Sequence, residues 1–420
     1  MPAHFRPRRL AQAALTVALI GLAGCVQNPN SVFHSRTDFN RDVSLLFEII
    51  LVLGTIVFVL TELLLVYAIW KFRAKPGAPR PEQIHGNTRL EILWTVIPAV
   101  VLAIIAVPTV TTIFKTQARA DSDALQIEVI GHQWWWEFKY PQYGITTANE
   151  VYMPLGRSIS FSLTTADVIH SFWIPGLGGK RDLVYKPNSG WLTHRQNRIW
   201  FTADSTTEDA FNGFCAEYCG TSHANMRFKA FTVTAAQFES WVANQQKPAA
   251  FPAAVAAPPA RGARGRAAAT PAAATTPAPQ GFIAYDRARM PAYTIPGTPV
   301  PAAIGFDSTL VGDATRGRPL VIGGTCLACH TIVGEPTMIG KIGPDLTHVG
   351  SRLTIAGGLY PNTKYHLGSW VKNAPAMKPG SIMTPPAGAG QYDPKTKLTT
   401  QFGLTNQQIA DIVAYLQALK

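Results

Sequence analysis

The 420-residue sequence has few charged side chains and few cysteines. Charged residues make up 15% of the chain and hydrophobic residues 47%, which excludes a disordered or fibrous protein and is apolar for a soluble enzyme. The net charge is +12 without a dense run of Lys and Arg, so we expect no nucleic-acid partner. Five cysteines are too few for a disulfide scaffold, and their grouping as one isolated residue and two close pairs indicates attachment points and metal ligands. The length allows two to four domains.

Residues 1–24 have the pattern of an export signal. Three arginines precede the apolar run Ala14–Gly24, which is too short to span a membrane as a mature helix. The segment Leu22-Ala23-Gly24-Cys25 resembles the lipobox of bacterial lipoproteins. That resemblance implies cleavage before Cys25 and attachment of lipid to its sulfur. A plain signal peptide that happens to contain a cysteine is the alternative.

Two apolar segments within residues 25–119, at about 45–70 and 92–114, predict a transmembrane hairpin. The second segment is uncharged and long enough for a hydrocarbon core of about 30 Å. The first contains Glu48 and Glu62, and a carboxylate inside a span costs at least about 2.5 kcal/mol unless it faces protein or water. Glu62 therefore indicates either packing against another polypeptide or a position near the lipid headgroups.

The short loop between the two spans is basic, with Lys71, Arg73 and Lys75 at its start. Such loops stay in the cytoplasm, so both flanks of the hairpin are expected on the outer side of a bacterial inner membrane. Everything after residue 115 then lies in the periplasm or its equivalent. Both cysteine pairs are thereby placed in an oxidising compartment, where haem is attached and copper is loaded.

Residues 120–247 consist of short alternating stretches separated by Gly, Pro and Asn, which predicts a small antiparallel β sandwich or barrel. Its chemistry is concentrated between residues 215 and 226. Thiolate, imidazole and thioether groups are soft ligands that select copper over magnesium or calcium. They belong to Cys215, Cys219, His223 and Met226.

Two thiolates four residues apart can bridge two metal ions, which then require a second histidine. The candidate is His170, at the end of a predicted strand. Zinc bound by two Cys and two His is the alternative, although the thioether of Met226 argues against it.

Three segments of this domain resemble subunit II of haem–copper oxidases. They are His132-Gln133-Trp134, Val168–Trp173 and Cys215–Met226. The two preceding spans also agree with that family in number and order, and the resemblance covers roughly residues 40–245. It implies a cupredoxin-like Greek-key barrel that holds the dinuclear copper centre CuA.

The resemblance also implies a role for each residue of the cluster. The thiolates of Cys215 and Cys219 bridge the coppers, and the imidazoles of His170 and His223 are terminal ligands. The thioether of Met226 and the backbone carbonyl of Glu217 are weak axial ligands. The side chain of Glu217 is further expected to reach a magnesium ion at the border with subunit I.

Two more residues match functional positions of the family. Trp134 matches the aromatic residue that receives electrons at the surface, with simple packing as the alternative. Glu91, at the cytoplasmic start of the second span, matches a glutamate at the mouth of a proton pathway into subunit I. Its alternative is an ordinary acidic residue at a helix N-terminus.

A compositional break separates this domain from the rest of the chain. Residues 248–279 are almost entirely Ala, Pro, Thr, Gly and Arg, a composition that cannot bury a core. We assign residues 248–304 to a disordered Ala/Pro-rich linker that tethers a last domain, residues 305–420.

The last domain carries the haem-attachment motif Cys326-Leu327-Ala328-Cys329-His330. The two cysteines of such a motif form thioethers to haem, and the adjacent histidine is fixed under the iron. A redox disulfide is the alternative, but no thioredoxin-like pattern surrounds the motif. The segments 343–346 and 378–383 resemble the haem-flanking loops of class I cytochrome c, which implies an all-α domain. The tail, residues 405–419, has the apolar spacing of an amphipathic helix.

Three methionines follow the motif and could supply the sixth iron ligand. Met338 leaves little chain to pass around the haem, whereas Met377 and Met383 both lie far enough away. Met383 also precedes two prolines that can stiffen its loop. The resemblance to cytochrome c favours Met383, because it matches the axial methionine of that family.

The complete arrangement resembles subunit II of a caa-type cytochrome c oxidase. This implies electron relay from haem c through CuA to haem a of subunit I, where oxygen is reduced and protons are pumped. The implied partners are subunit I with haem a and copper B, subunit III, and cytochrome c or a cytochrome bc complex as donor. The enzymatic activity, that of a proton-translocating oxidoreductase, belongs to the complex.

Two alternatives remain from the sequence. The electron-input subunit of a CuA-containing nitric oxide reductase would carry the same domains. A lipid-anchored electron carrier is disfavoured by the two spans and by Glu217.

Charge predicts how the two outer domains meet. Residues 120–247 carry ten basic and twelve acidic side chains, and residues 281–420 carry twelve basic and seven acidic ones. Opposite net charges are expected to assist docking, so that electron transfer slows modestly as salt rises.

Overall fold

A computed structural model of the protein describes residues 30–33, 35–77, 85–118, 120–184, 197–204, 208–249, 285–383 and 403–420. It also describes Thr16, Pro79, Gln83 and the strand residues 391–393 and 398–400. Cys25 and the lipid attachment predicted there lie outside the described residues, as do residues 250–284 of the predicted linker.

Two long helices form the N-terminal part: α1 (Asp38–Lys71) and α2 (Thr88–Gln117). Both are long and apolar enough to cross a membrane, and the most apolar stretch of each helix is exposed in the isolated chain. Each extends beyond the apolar segment predicted from the sequence, because its ends continue into polar residues. The start of α1 and the end of α2 are joined by an ion pair of 2.6 Å between Asp42 and Lys115.

The next domain is a sandwich of two five-stranded sheets with strand orders β3-β2-β1-β5-β8 and β4-β10-β9-β6-β7. Its strands are β1 (Leu125–His132), β2 (Trp135–Tyr140), β3 (Ile145–Ala148), β4 (Glu150–Pro154), β5 (Ser158–Thr165), β6 (His170–Trp173), β7 (Arg181–Leu183), β8 (Asn197–Thr202), β9 (Asp209–Cys215) and β10 (Arg227–Val233). The β1–β5 and β4–β10 pairs are parallel, which the prediction of an antiparallel sandwich missed. Alternation reveals which side chains share a face, but not the direction of the neighbouring strand.

The space between the sheets is filled by aromatic side chains. Trp136, Phe138, Phe172 and Phe228 are at most 1% exposed. Phe172 stacks on Phe228 with 5.0 Å between ring centroids. Such a core holds the strand ends rigidly, because close-packed rings leave little room for rearrangement. The helix α3 (Ala235–Gln245) follows the last strand.

The C-terminal domain is helical. Its elements are α4 (Ala314–Ile322), α5 (Lys364–Met377) and α6 (Asn406–Ala418), with short hairpins formed by β11 (Thr354–Ile355) and β12 (Tyr360–Pro361) and by β13 (Gln391–Asp393) and β14 (Leu398–Thr400). The predicted C-terminal amphipathic helix is α6, which begins with a capping box at Thr405.

Helices α4 and α6 cross in close contact at Gly317. A Cβ at this position would lie 2.0 Å from the carbonyl oxygen of Asp411, so no larger residue fits without separating the helices. Arg316 completes the crossing with hydrogen bonds of 2.9 and 2.8 Å to the two carboxylate oxygens of Asp411. This crossing lies on the core that the haem motif adjoins.

Residues 285–304, the longer described part of the predicted linker, are anchored by a few buried side chains and are otherwise mostly exposed. Tyr285 and Met290 are 3% and 7% exposed and belong to the core of the β sandwich. Arg289 forms an ion pair of 2.6 Å with Glu208 of the sandwich. Ile304, 1% exposed, belongs to the core of the helical domain.

Candidate metal and haem sites

The predicted soft ligands come together at one end of the sandwich. His170 begins β6 and Cys215 ends β9, while the others lie in the loop between β9 and β10. The Sγ atom of Cys215 lies 3.8 Å from that of Cys219 and 3.8 Å from Nδ1 of His170. The Sγ atom of Cys219 lies 3.6 Å from Nδ1 of His223 and 3.8 Å from Sδ of Met226.

The other candidate metal-ligand atoms divide evenly between the two sulfurs. Each sulfur faces its own imidazole, and each has a weaker donor beside it. For Cys215 this donor is the carbonyl oxygen of Glu217, at 3.1 Å, and for Cys219 it is the thioether of Met226. A single tetrahedral zinc ion uses four ligands and has little use for a thioether. The set therefore fits a pair of soft metal ions shared by two sulfurs.

Asp167 fixes the orientation of His170 from outside the ligand set. Its Oδ1 accepts a hydrogen bond of 2.8 Å from Nε2 of His170, which turns Nδ1 towards the sulfurs. Its Oδ2 accepts one of 2.6 Å from the backbone N–H of Gln133. Burial raises the pKa of Asp167, but these hydrogen bonds outweigh it and hold the pKa below its usual value. The sequence reasoning missed Asp167; its position three residues before the ligand histidine was the available signal.

The two thiols share their protons unequally. The hydrogen bond between Cys215 and Cys219 is the main cause that lowers the pKa of Cys215, and His170 contributes further. The pKa of Cys219 is raised in turn, chiefly by its interaction with Cys215. Of the two thiols, Cys215 is therefore the one that more readily becomes a thiolate, which is the form that binds metal.

The three consecutive tryptophans have different environments. Trp136 is fully buried in the core, and Trp135 stacks on His132 with 4.1 Å between ring centroids. Trp134 donates from Nε1 to the carbonyl oxygen of Cys219 at 2.9 Å, next to the sulfur cluster. On its other side it faces the helical domain, where a Cβ on Gly380 would lie 2.6 Å from its ring.

A cavity of about 570 Å³ lies beside the haem-attachment motif. Cys326, Cys329, His330 and Met383 all line it. Most of the remaining lining is apolar, and Trp134 closes it from the side of the sandwich. A large apolar cavity with two thiols and an imidazole at its wall fits a covalently attached haem.

The orientation of His330 suits an iron ligand. Its Nδ1–H donates a hydrogen bond of 2.7 Å to the carbonyl oxygen of Pro344, so the other ring nitrogen, Nε2, is the one available to iron. Burial lowers the pKa of His330, which favours the neutral imidazole, the form that binds a metal. Gly343 lies flat against the ring, since a Cβ there would come within 2.6 Å of Cε1.

The three candidate methionines lie in different places. Met338 and Met377 are 1% and 4% exposed and belong to the core of the helical domain. Met383 is part of the cavity wall. The cavity therefore favours Met383, and its role as iron ligand stays a prediction.

The side chains of two predicted residues lie outside these sites. The side chain of Glu217 is exposed next to the sulfur cluster, as a group that reaches another subunit would be. Glu91 lies in the first turn of α2, where its Oε1 accepts a hydrogen bond of 3.2 Å from the backbone N–H of Asn87. That bond is the local role expected of an acidic residue at a helix start, so the magnesium and proton-pathway roles stay predictions.

Comparison with known families covers all three parts of the chain. Residues 33–112 match the transmembrane domain of cytochrome c oxidase subunit II, residues 144–233 its periplasmic domain, and residues 314–420 cytochrome c. A cytochrome c oxidase subunit 2 from Alkalihalophilus pseudofirmus is 31% identical over 381 residues, which cover 88% of this chain and 86% of that protein. The chain belongs to the cytochrome c oxidase subunit II family.

Further relatives match the whole chain or its copper domain. A cytochrome c oxidase subunit 2 from Bacillus subtilis is 30% identical over 84% of this chain and 82% of its own length. The crystal structure of the periplasmic domain of subunit II of cytochrome oxidase from Bradyrhizobium japonicum is 30% identical, covering 31% of this chain and 96% of that one, with a TM-score of 0.27. Membership of the subunit II family implies a membrane-anchored chain that binds copper and haem and has a subunit I partner.

Proposed function

We propose that this chain is the electron-entry subunit of a terminal cytochrome c oxidase, in which electrons pass from haem c to CuA and then to haem a of subunit I for proton-coupled reduction of oxygen. The observation that carries the proposal is the position of Trp134. Its indole N–H donates a hydrogen bond to the carbonyl oxygen of Cys219, and its ring lines the haem cavity. One side chain therefore connects the two candidate redox sites.

When bound, the copper pair and the haem supply one-electron redox chemistry, and the protein supplies their ligands. Two thiolates, two imidazoles, a thioether and a backbone carbonyl would hold the copper pair. These are Cys215 and Cys219, His170 and His223, and Met226 and Glu217. The bond from Asp167 keeps His170 in one orientation, and the aromatic core keeps the strand ends in place. Little movement of the ligands on reduction favours fast transfer.

On the haem side, Cys326 and Cys329 would attach the haem through thioethers, and His330 and Met383 would hold its iron. The apolar cavity wall would exclude water from the haem. The carboxylate of Glu217 would hold a magnesium ion at the border with subunit I, and Glu91 would stand at the mouth of a proton pathway.

The proposed setting is a bacterial inner membrane with both outer domains on the periplasmic side and Cys25 as a lipid attachment point. The apolar surfaces of α1 and α2 support contacts with lipid and with subunit I. Subunit III and a cytochrome c or cytochrome bc donor complete the proposed set of partners.

The replacement Trp134→Leu tests the relay. It removes both the ring at the haem cavity and the bond to Cys219, so we expect transfer from haem c to copper to slow by at least about tenfold, equivalent to about 1.4 kcal/mol of activation free energy. The measurement is the time course of haem c oxidation in the complex after rapid photochemical reduction, with copper and haem contents unchanged.

The matched control is Trp200→Leu, the same change on the edge strand β8. This variant should transfer electrons at the wild-type rate. Equal rates in Trp134→Leu and the control, with both metals present, would show that electrons do not pass by Trp134.

A further inference from the structure

The helical domain contacts the sandwich through a buried carboxylate. Glu150, on β4 of the sandwich, is 1% exposed. Its Oε1 accepts hydrogen bonds from the backbone N–H of Leu353 at 2.9 Å and from both the N–H and the hydroxyl of Thr354, at 2.8 and 2.9 Å. All three donors belong to the helical domain. A carboxylate of one domain is thus satisfied by the other.

This arrangement selects one relative position of the domains. A buried carboxylate that loses its donors is strongly disfavoured, so a shifted pose that still covers Glu150 would leave it unsatisfied. Burial raises the pKa of Glu150, and the hydrogen bonds from Thr354 and Leu353 and the charge of Arg352 oppose that rise. The contact thus specifies the register of docking, which is the best-attested role of buried charged groups.

Each end of the predicted linker is bound by the domain to which it is not directly joined. Where the chain leaves the sandwich, it is held by the helical domain: the N–H of Ala249 donates to the carbonyl of Val333 at 2.9 Å, and Nε2 of His348 donates to the carbonyl of Lys247 at 3.1 Å. Where the chain returns, it is held by the sandwich through buried Tyr285. Each end therefore ties the domain it joins to the opposite one.

A third contact joins the loop before Met383 to the metal end of the sandwich. The ammonium group of Lys378 is buried and donates to the carbonyl oxygens of Trp134 and Ala356. The hydroxyl of Ser222, next to His223, donates to the carbonyl of Pro379. The loop that lines the haem cavity is thereby fixed to the loop that carries the copper ligands.

We propose that the cytochrome c domain is a fixed module, latched in one pose by Glu150 and by the crossed ends of the linker, and not a mobile arm on a tether. In this pose Gly380 of the fused domain lies against the ring of Trp134 and leaves only part of that side chain exposed, so we expect a soluble electron donor to deliver electrons to the fused domain. The consequence for electron entry rests on the proposed function, whereas the latch itself does not.

The test separates covalent from non-covalent attachment. A specific protease site is inserted within residues 250–284 of the full-length chain in the purified oxidase, and cleavage is verified on a denaturing gel. Gel filtration then measures how much of the haem-bearing fragment stays with the membrane-bound part. We expect retention in the wild-type sequence, and at least about a tenfold increase in the released fraction for Glu150→Ala, as the loss of three buried hydrogen bonds implies.

Two variants define what the change measures. Glu239→Gln removes an exposed carboxylate from α3 of the same domain and should retain the fragment like the wild type. Thr354→Val removes one donor from the other side of the interface and should release an intermediate fraction, with copper and haem contents unchanged. Release of the wild-type fragment on cleavage would overturn the proposal, as would full retention in both Glu150→Ala and Thr354→Val. Neither result depends on electron transfer, so failure of the Trp134 experiment leaves this test intact.

Discussion

Met383 lines the haem cavity, whereas Met338 and Met377 are enclosed in the core of the same domain. This difference agrees with the sequence-based prediction that Met383 is the iron ligand. The replacement Met383→Ala should abolish the weak sulfur-to-iron absorption band and lower the reduction potential of the haem, because a thioether ligand stabilises reduced iron. Visible absorption spectra and a redox titration measure both effects.

Met377→Ala is the control for that experiment. It removes a buried side chain and should destabilise the domain by about 2–5 kcal/mol while keeping the absorption band. The opposite result, a lost band in Met377→Ala and an intact one in Met383→Ala, would show that Met377, and not Met383, is the iron ligand.

The residues that sequence could predict are those whose chemistry is concentrated locally. Cys215, Cys219, His223 and Met226 lie within twelve positions, and no structure is needed to see that they are soft ligands. Asp167 and Glu150 gave no comparable signal. Their roles depend on which groups approach them in space, and an isolated carboxylate in a sequence is more often a solvated surface group.

Among the structural elements, the crossing of α4 and α6 depends on Gly317. The replacement Gly317→Ala should destabilise the cytochrome c domain by about 1–3 kcal/mol, because the added methyl group meets the backbone carbonyl of Asp411 and forces the helices apart. Denaturant unfolding of the full chain, followed by haem absorbance, measures the change in the free energy of unfolding.

Gly297→Ala is the matched control, since a Cβ at Gly297 has nothing within 4 Å. It should leave the unfolding midpoint almost unchanged. Equal midpoints for the two variants would mean that the helices can separate without cost at this crossing.

Elements with strong periodicity were predictable, and elements defined by their partners were not. The spacing of Ile409, Ile412 and Leu416 predicted α6 correctly, since one face of a helix must meet the core. The parallel pairing of β1 with β5 could not be read from alternation alone. The predicted linker extends to residue 304 because the resemblance to cytochrome c begins at about residue 305, although Tyr285 could have indicated packing.

At the scale of the whole molecule, the opposite net charges of the outer domains predicted electrostatic docking. The structure adds contacts of another kind, in which Glu150 and Lys378 are buried and hydrogen-bonded across the interface. Salt screens exposed charges far more than buried groups. Charge can therefore assist the first encounter of the domains, while the docked pose depends on the buried bonds.

The central claim is that one chain holds a dinuclear copper centre and a haem c. It is tested most directly by metal analysis of the purified full-length chain together with electron paramagnetic resonance of its partly oxidised form. The account predicts two coppers and one haem iron per chain, with a mixed-valence signal split by two equivalent copper nuclei. A single copper per chain, or zinc in place of copper, would contradict it.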